Sequence, residues 1–450
     1  MVETKYGKIS GIELEGYTVY KGIPYARAPI GELRFKRPRK PERWEDVYIA
    51  DHFQPKCMPA GRQIGTFYDR AFYSNPDFAV DMSEDCLYLN IWVPRKRRQA
   101  CPVAIYIHGG AFMGGAGSEL PFDGGEFAKR DVILVTINYR LGVFGFFCHP
   151  LITDASDRTC GNYGLWDQMS AVEWVQDNIT AFGGDPDNIT LFGQSAGAMS
   201  LQILALSPLM KGKYHQMILQ SGGYRLPMET CRSLESAFAI GEALLKELGM
   251  EEYAWKHSNT ERQHALRLLY ETPAEQIMDA AGRVIGMSFS NGTGIPFIPV
   301  IDKVILNSDI NELMERGEFH KLPYILGANS EDMTVDMEKE RTPETNMMHL
   351  ANANLAKMIN RKKDAQAYVY YFSRQLPGDD SGAFHSAELW YVFGTLQYCW
   401  RPLTEQDRTL SNEIMDYWTN FMHTGNPNGD NLPNWETYSD EHPDIKFFDI

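Results

Sequence analysis

Residues 193–197 read Gly-Gln-Ser-Ala-Gly and hold the serine best placed for nucleophilic chemistry. Residues 188–192 before it have the composition of a short buried strand, and residues 198–204 after it that of a helix. A glycine-flanked serine between a strand and a helix predicts a nucleophile elbow, a tight turn that exposes the hydroxyl at the end of a sheet. The small flanking residues allow the strand and the helix to approach the turn closely. Ser195 is therefore the predicted nucleophile.

A second glycine-rich segment could stabilise negative charge in the same reaction. Residues 103–107 are apolar, as in a parallel strand buried on both faces, and lead directly into His-Gly-Gly-Ala-Phe at 108–112. In α/β-hydrolases such a segment supplies backbone N–H groups to the negative oxygen of a tetrahedral intermediate. Alone it would indicate only a glycine-rich loop. Beside the serine elbow it predicts an oxyanion hole formed by Gly109, Gly110 and Ala196.

The elements that must position these residues alternate between strand and helix patterns, which predicts a mixed, mainly parallel sheet with helices on both faces. Runs with strand composition lie at 87–93, 103–107, 132–137, 189–192, 217–220 and 324–326. The clearest helical stripe consists of Leu165, Met169, Val172, Val175 and Ile179. No linker or repeat divides the chain, so we expect one α/β domain over residues 1–450.

Two charge-rich segments without a strand pattern, residues 229–279 and 336–380, are expected to be helical insertions in that domain. Insertions of this kind would cover the strand ends, where α/β enzymes build their pockets.

The bulk composition argues against several classes of function. The 450 residues are 44% hydrophobic and 23% charged, as in ordinary soluble globular proteins, and carry a formal charge of −16. Nucleic acids and anionic membrane surfaces both favour basic patches, so neither is an expected partner. No apolar run approaches the roughly 18 residues of a membrane span. The first residues lack an apolar leader pattern, which favours a cytoplasmic protein.

Further motifs, in a consistent order, connect the chain to a known family. They lie at 22–26, 31–35, 84–90, 138–142, 161–168 and 424–427. With the serine elbow and the glycine-rich segment, they resemble the type-B carboxylesterase family, the α/β-hydrolases that include cholinesterases and p-nitrobenzyl esterases. The resemblance covers nearly the whole chain. It implies an α/β-hydrolase fold and hydrolysis of carboxylic esters.

The resemblance also implies the remaining catalytic residues. His385, in Ala-Phe-His-Ser-Ala, is similar to the family's catalytic histidine, while Ser221 and Glu388 match supporting residues. The catalytic acid departs from the family's pattern, which usually has a glutamate five residues after a glycine that ends a strand. Here that position holds Asp332, and a glutamate, Glu331, precedes it. Alignment favours Asp332 and residue type favours Glu331; we give more weight to alignment, because it decides which side chain points toward the histidine.

Structural cross-links are implied in the same way. The family's ion pairs correspond to Arg34 with Glu84 and to Arg140 with Asp167. Cys57 and Cys86 match a family disulfide, although in a reducing compartment they would remain thiols.

The other five of the seven cysteines are scattered, and neither a Cys-x-x-Cys pair nor a histidine pair with helical spacing is present. We expect no metal and no cofactor.

Four residues are predicted to form the walls of the pocket. Ala111 and Phe112 follow the oxyanion glycines, and Trp390 and Tyr391 follow His385, so all four are expected to border the substrate. Two aromatic rings near the histidine would narrow the site, so short-chain or aryl esters are the expected substrates. Packing of Trp390 away from the pocket is the alternative.

At the level of function, two alternatives remain: a catalytically silent interaction module of the same superfamily, and a feruloyl or acetyl esterase acting on plant cell walls. The oligomeric state stays open.

Overall fold

A computed structural model of the chain describes residues 1–58, 66–72, 80–96, 99–153, 160–226, 228–250, 258–333, 341–362 and 365–450. Within these ranges the strands are β1 Val2–Thr4, β2 Gly7–Ser10, β3 Ile12–Glu13, β4 Tyr17–Pro24, β5 Tyr48–Ile49, β6 Lys56–Cys57, β7 Met82–Ser83, β8 Tyr88–Pro94, β9 Cys101–Ile107, β10 Ile133–Ile137, β11 Gly184–Gln194, β12 Gln216–Gln220, β13 Pro323–Asn329, β14 Gln366–Phe372 and β15 Lys446–Phe448. The α-helices are α1 Phe67–Phe72, α2 Gly125–Ala128, α3 Gly142–Phe146, α4 Tyr163–Asn178, α5 Ala196–Leu206, α6 Leu234–Glu247, α7 Asn259–Glu271, α8 Ala274–Ser290, α9 Ile310–Arg316, α10 Met347–Asn360, α11 Leu389–Val392 and α12 Glu405–Thr424.

Ten of the described strands form one central sheet, in the order β15-β14-β13-β12-β11-β9-β10-β8-β4-β3. Neighbouring strands from β15 to β10 are parallel. Strands β8, β4 and β3 add an antiparallel edge beyond β10. Each of the six runs predicted as strands lies in this sheet, and the predicted fold class is confirmed.

The side chains on the two faces of the sheet pack into two separate hydrophobic cores, because successive residues of a strand point to opposite sides. On β9, Val103 and Ile105 belong to the core that includes α4, α5 and α10. Ala104 and Tyr106 belong to the other core, which includes α11 and α12. Since β9 is buried at every position, the strand that leads into the glycine-rich loop is held on both faces.

The segment 336–380 was predicted to be a helical insertion, and this prediction is wrong for its second half. Helix α10 lies in it, but Gln366–Phe372 is β14, a parallel strand paired along its whole length with β13. The strand pattern was missed because a run of charged residues, 361–364, immediately precedes this aromatic stretch. Helix α10 is therefore the crossover between two adjacent parallel strands. The described part of 229–279 is helical as expected and contains α6, α7 and the start of α8.

The cross-links implied by the resemblance are present. The ion pairs are Arg34–Glu84, with 2.6 Å between Nη2 and Oε2, and Arg140–Asp167, with 2.8 Å between Nη2 and Oδ1. Cys57 and Cys86 form a disulfide with a Cα–Cα distance of 4.9 Å.

Within the described ranges, no helix is long and apolar enough to span a membrane. The same ranges contain no group of three or more His, Cys, Asp or Glu side chains arranged to hold a metal ion.

Candidate active site

The candidate residues collect at one edge of the sheet, where the parallel strands have their carboxyl ends. Strand β9 leads into the glycine-rich loop, β11 into Ser195, β12 into Ser221 and β13 toward Asp332. His385 comes from the segment that follows β14. Residues far apart in sequence thus meet because adjacent parallel strands end at the same level.

Ser195 occupies a sharp turn between β11 and α5, with φ 57° and ψ −124°. A positive φ is costly for any residue with a side chain, and such strain is typical of functional turns. The turn is held by the Ser195 N–H, which donates to the Gln220 carbonyl at 2.9 Å. Close packing explains the glycine at 197, because a Cβ there would lie 2.0 Å from the carbonyl oxygen of Ile107. The local geometry is that of the predicted nucleophile elbow.

The glycine-rich loop approaches the nucleophile from β9. A Cβ on Gly109 would lie 2.8 Å from the carbonyl oxygen of Gln194 and 3.1 Å from Cβ of Ser195, so glycine permits this approach without displacing the backbone. In the described part of the chain no protein oxygen accepts a hydrogen bond from the N–H groups of Gly109 or Gly110. Ala196 is the first residue of α5, whose N–H has no acceptor within the helix. All three candidate oxyanion donors are therefore available to a ligand.

His108 anchors this loop rather than reacting in it. Its carbonyl accepts a 2.9 Å hydrogen bond from the Tyr139 hydroxyl, and its ring stacks on Tyr139 with 4.4 Å between centroids. Burial lowers the pKa of the His108 imidazole to about 4, so the ring is neutral near pH 7.

His385 and Asp332 are in direct contact. Nδ1 of His385 lies 2.5 Å from Oδ1 of Asp332. The second carboxylate oxygen, Oδ2, accepts hydrogen bonds from the Ser221 hydroxyl at 2.6 Å and from the Asn329 N–H at 3.1 Å. Because these bonds fix its orientation, the carboxylate can hold one tautomer of the imidazole.

The electrostatics of the pair favour the charged forms. Burial by itself would raise the pKa of Asp332, but the adjacent His385 and the hydrogen bonds lower it below its ordinary value. Burial would likewise lower the pKa of His385, but the Asp332 carboxylate raises it above its usual value. Nearby, burial raises the pKa of Glu388 to about 7, although its carboxylate accepts a bond from the Asn329 amide at 2.5 Å.

Glu331, the alternative acid, has other partners. Its carboxylate pairs with Arg341, accepts the Ala383 N–H at 2.8 Å and accepts the Gln375 amide at 3.0 Å. The structure therefore brings Asp332, and not Glu331, to the histidine.

Gln194 is a site residue that the sequence analysis missed. Its amide nitrogen lies 3.1 Å from Nε2 and 3.5 Å from Nδ1 of His385, and the residue is only 2% exposed. No hydrogen bond joins Ser195 and His385, both of which are described, so the partner of Nε2 in this structure is Gln194. The available signal was its position directly before the nucleophile, at the end of a buried strand.

The predicted pocket walls divide into two groups. Ala111 is half-buried beside the oxyanion glycines, and Phe112 is buried edge-on against Phe146 with 5.2 Å between centroids. The prediction that Phe112, Trp390 and Tyr391 border the substrate requires a correction, because all three rings are buried in packing contacts. Trp390 stacks on Phe72 at 5.6 Å between centroids, and the Tyr391 hydroxyl donates to Asp407 at 2.6 Å. These contacts with α1 and α12 keep both rings away from a substrate.

Helix α1, inside the loop closed by the disulfide, contacts the segment that carries His385, which the sequence analysis did not predict. The Tyr68 hydroxyl lies 3.4 Å from the carbonyl oxygen of His385, and the Tyr68 side chain is 41% exposed. Phe67 contacts Phe384 edge-on at 4.8 Å between centroids. An exposed aromatic ring therefore stands beside the histidine segment.

Comparison with known proteins places the chain among esterases. The model of the carboxylesterase family matches residues 1–356 and 344–448. The para-nitrobenzyl esterase of Bacillus subtilis (strain 168) is 32% identical, over 98% of this chain and 93% of that protein. Liver carboxylesterase 1 of Oryctolagus cuniculus is 30% identical, over 97% of this chain and 88% of that protein.

Solved structures agree with these matches. A thermophilic PNB esterase superposes with a TM-score of 0.84 and 32% identity, covering 100% of this chain and 95% of that one. The match over nearly the full length, together with the strained serine turn and the paired histidine and carboxylate, leads to one assignment. The chain belongs to the carboxylesterase family and is a carboxylic ester hydrolase with the α/β-hydrolase fold.

Proposed function

We propose that this chain hydrolyses carboxylic esters with Ser195 as the nucleophile, His385 as the general base and acid, and Asp332 as the carboxylate that orients the histidine. The observation that carries the assignment is the hydrogen bond between His385 and Asp332 at the sheet edge that also carries the strained Ser195 turn. The order of the three residues along the chain, serine, acid and histidine, is that of α/β-hydrolases.

The reaction follows from these positions. Oγ of Ser195 forms a bond to the ester carbonyl carbon while its proton passes to Nε2 of His385. The carbonyl oxygen becomes negative and is bound by the N–H groups of Gly109, Gly110 and Ala196. The C–O bond to the alcohol then breaks, and the alcohol leaves with the proton from His385. Water repeats the sequence on the acyl-serine and releases the carboxylic acid; neither step requires a cofactor.

Replacement of the nucleophile tests this assignment. We expect Ser195→Ala to lower ester turnover by about 10⁴-fold or more and to leave the far-ultraviolet circular dichroism unchanged, because the hydroxyl reacts and does not pack. An organophosphate should label the wild-type protein once, with the adduct mapped to Ser195 by mass spectrometry. An adduct on any other residue would overturn the assignment.

We also propose that short acyl and aryl esters are the preferred substrates. The packing of Trp390 and Tyr391 removes the original reason for this expectation, and one other observation supports it. The Tyr68 side chain is 41% exposed beside the His385 segment, where its ring can stack on an aryl group.

A substrate series tests the preference. Turnover of p-nitrophenyl acetate and butyrate, and of p-nitrobenzyl acetate by analogy with the Bacillus relative, should exceed turnover of p-nitrophenyl decanoate. Tyr68→Ala should lower kcat/KM for aryl esters more than for ethyl acetate. A preference for the decanoate would refute the proposal.

The expected cytoplasmic location also remains a prediction, which cell fractionation would check.

A further inference from the structure

Glu331 connects the segment that carries the candidate acid with the segment that carries the candidate histidine. Both polar backbone groups of Ala383 bond to it: the Ala383 N–H donates to Oε2 at 2.8 Å, and the Glu331 N–H donates to the Ala383 carbonyl at 3.1 Å. The next residue, Phe384, forms an isolated parallel bridge with Glu331. Ala383 precedes His385 by two residues, and Glu331 precedes Asp332 by one.

The Glu331 carboxylate is itself held from several directions. Its side chain is 4% exposed, and it pairs with the Arg341 guanidinium. The Gln375 amide donates to both of its oxygens, at 3.0 and 3.2 Å, and the Ser330 hydroxyl also donates to it. A buried carboxylate with this many donors is a rigid point of attachment, because each bond limits its rotation.

We propose that Glu331 is a positioning residue: it fastens the His385 segment to the end of β13 and thereby sets the contact between Asp332 and His385. The inference rests on the proposed function, since it assigns a role to Glu331 only through that pair. An aspartate is one methylene shorter than a glutamate, so the two segments must lie close together for Asp332 to reach Nδ1. Hydrogen bonds weaken steeply with distance, and a small separation of the segments would break this contact.

The alternative is that Glu331 contributes only to folding stability. The two roles differ in what they change once the protein is folded. A positioning residue affects the rate at each intact site and the protonation of His385, whereas a purely structural residue affects only the fraction folded. The titratable groups that face His385 are Asp332 from the end of β13, Glu388 from its own segment and Tyr68 from α1. Loosening the Asp332 contact would remove the charge that favours the imidazolium.

The experiment compares Glu331→Ala, Glu331→Gln and a matched control. Active sites are counted with a p-nitrophenyl organophosphate, so that kcat refers to folded, reactive protein. We expect Glu331→Ala to lower kcat per site about 10- to 100-fold, the effect of small misplacements in active sites. Glu331→Gln, which keeps an oxygen able to accept the Ala383 N–H, should lose less than about tenfold. Asp302→Ala removes another buried carboxylate that binds backbone N–H groups, at residues 304–306, and should lower Tm with kcat per site unchanged.

The pH profile supplies the second readout. In Glu331→Ala the acid limb of kcat/KM should move to lower pH, because His385 loses the carboxylate that favours its protonated form. An unchanged kcat per site with an unmoved acid limb would overturn the proposal. If Glu331→Ala fails to fold, Glu331→Gln is the deciding variant. A lower kcat per site together with an acid limb at lower pH supports the positioning role of Glu331. A kcat and an acid limb equal to those of the wild type refute it. Ser195→Ala, measured as turnover per total protein, reports separately on the proposed function, since full activity there would refute the triad itself.

Discussion

Asp332 and Glu331 are neighbours whose carboxylates have different partners, and this difference predicts unequal effects of removing each charge. Asp332→Asn should lower kcat by about 10⁴-fold, because the amide would hold His385 in the wrong tautomer. Glu331→Gln should cost far less, under about tenfold, since its amide oxygen can still accept the Ala383 N–H and the contact between Asp332 and Nδ1 is loosened but not lost. Steady-state kinetics on p-nitrophenyl butyrate would measure both. The reverse order would identify Glu331 as the catalytic acid.

Gln194 offers a second prediction at the residue scale. Its amide is neutral and lies within 3.1 Å of the imidazole nitrogen that must accept the serine proton. Gln194→Glu would place a negative charge there with little change in shape. A nearby opposite charge stabilises the imidazolium, so the acid limb of the kcat/KM profile should move to higher pH by about one unit.

The direction of this shift has a simple reason. The general base must be neutral to accept the serine proton, and a raised pKa of His385 keeps it protonated over a wider pH range. Activity should therefore fall below pH 7 and recover at alkaline pH. The control is Gln194→Met, which removes the amide without adding charge; because it also removes the N–H that favours the neutral imidazole, the acid limb should move in the same direction but by less than in Gln194→Glu. Identical profiles for the glutamate variant and the wild type would contradict the contact.

At the scale of elements, the disulfide between Cys57 and Cys86 closes the segment that contains α1. Closing a loop of this length stabilises the fold by roughly 3 kcal/mol, mainly by restricting the unfolded chain. We expect the double variant Cys57→Ser, Cys86→Ser to lose about this free energy of unfolding in a urea titration. The masses of native and reduced protein should differ by two hydrogens. Equal masses would show that the cysteines are thiols in the purified protein.

At the scale of the whole molecule, both ends of the chain enter the same sheet. Strands β3 and β4 come from the first 24 residues and form one edge, while β15, near the last residue, forms the other. Because the central strands pack between these edges, we expect the chain to unfold as one unit. The change in tryptophan fluorescence and the loss of ester turnover should have the same midpoint in urea. Ser195→Ala is the control, because it should show the same fluorescence transition without turnover. Two separated fluorescence transitions would indicate independent domains.

Local sequence patterns were sufficient to predict much of the fold and the candidate nucleophile. The strand, glycine-flanked serine and helix around residue 195 are determined by short-range sterics, since only small residues permit a turn that tight. The apolar runs of the parallel strands are equally local, because burial on both faces requires them. The order of motifs along the chain was enough to assign the family and to identify His385 and both candidate acids.

Contacts between distant segments decided the rest. The spacing after Gly327 favoured Asp332 over Glu331, but the contact with His385 itself depends on how the segments after β13 and β14 approach each other. Trp390 and Tyr391 were expected in the pocket because they follow the histidine closely, yet α1 and α12, from remote parts of the chain, bury both rings. Gln194 and Tyr68 reach the histidine only through the fold. The sequence by itself determined the architecture, because periodicity sets the strands and helices; it also identified the candidate nucleophile and, through the family resemblance, the candidate acids and histidine. The tertiary structure alone decided which of these side chains share the site, because that depends on three-dimensional packing.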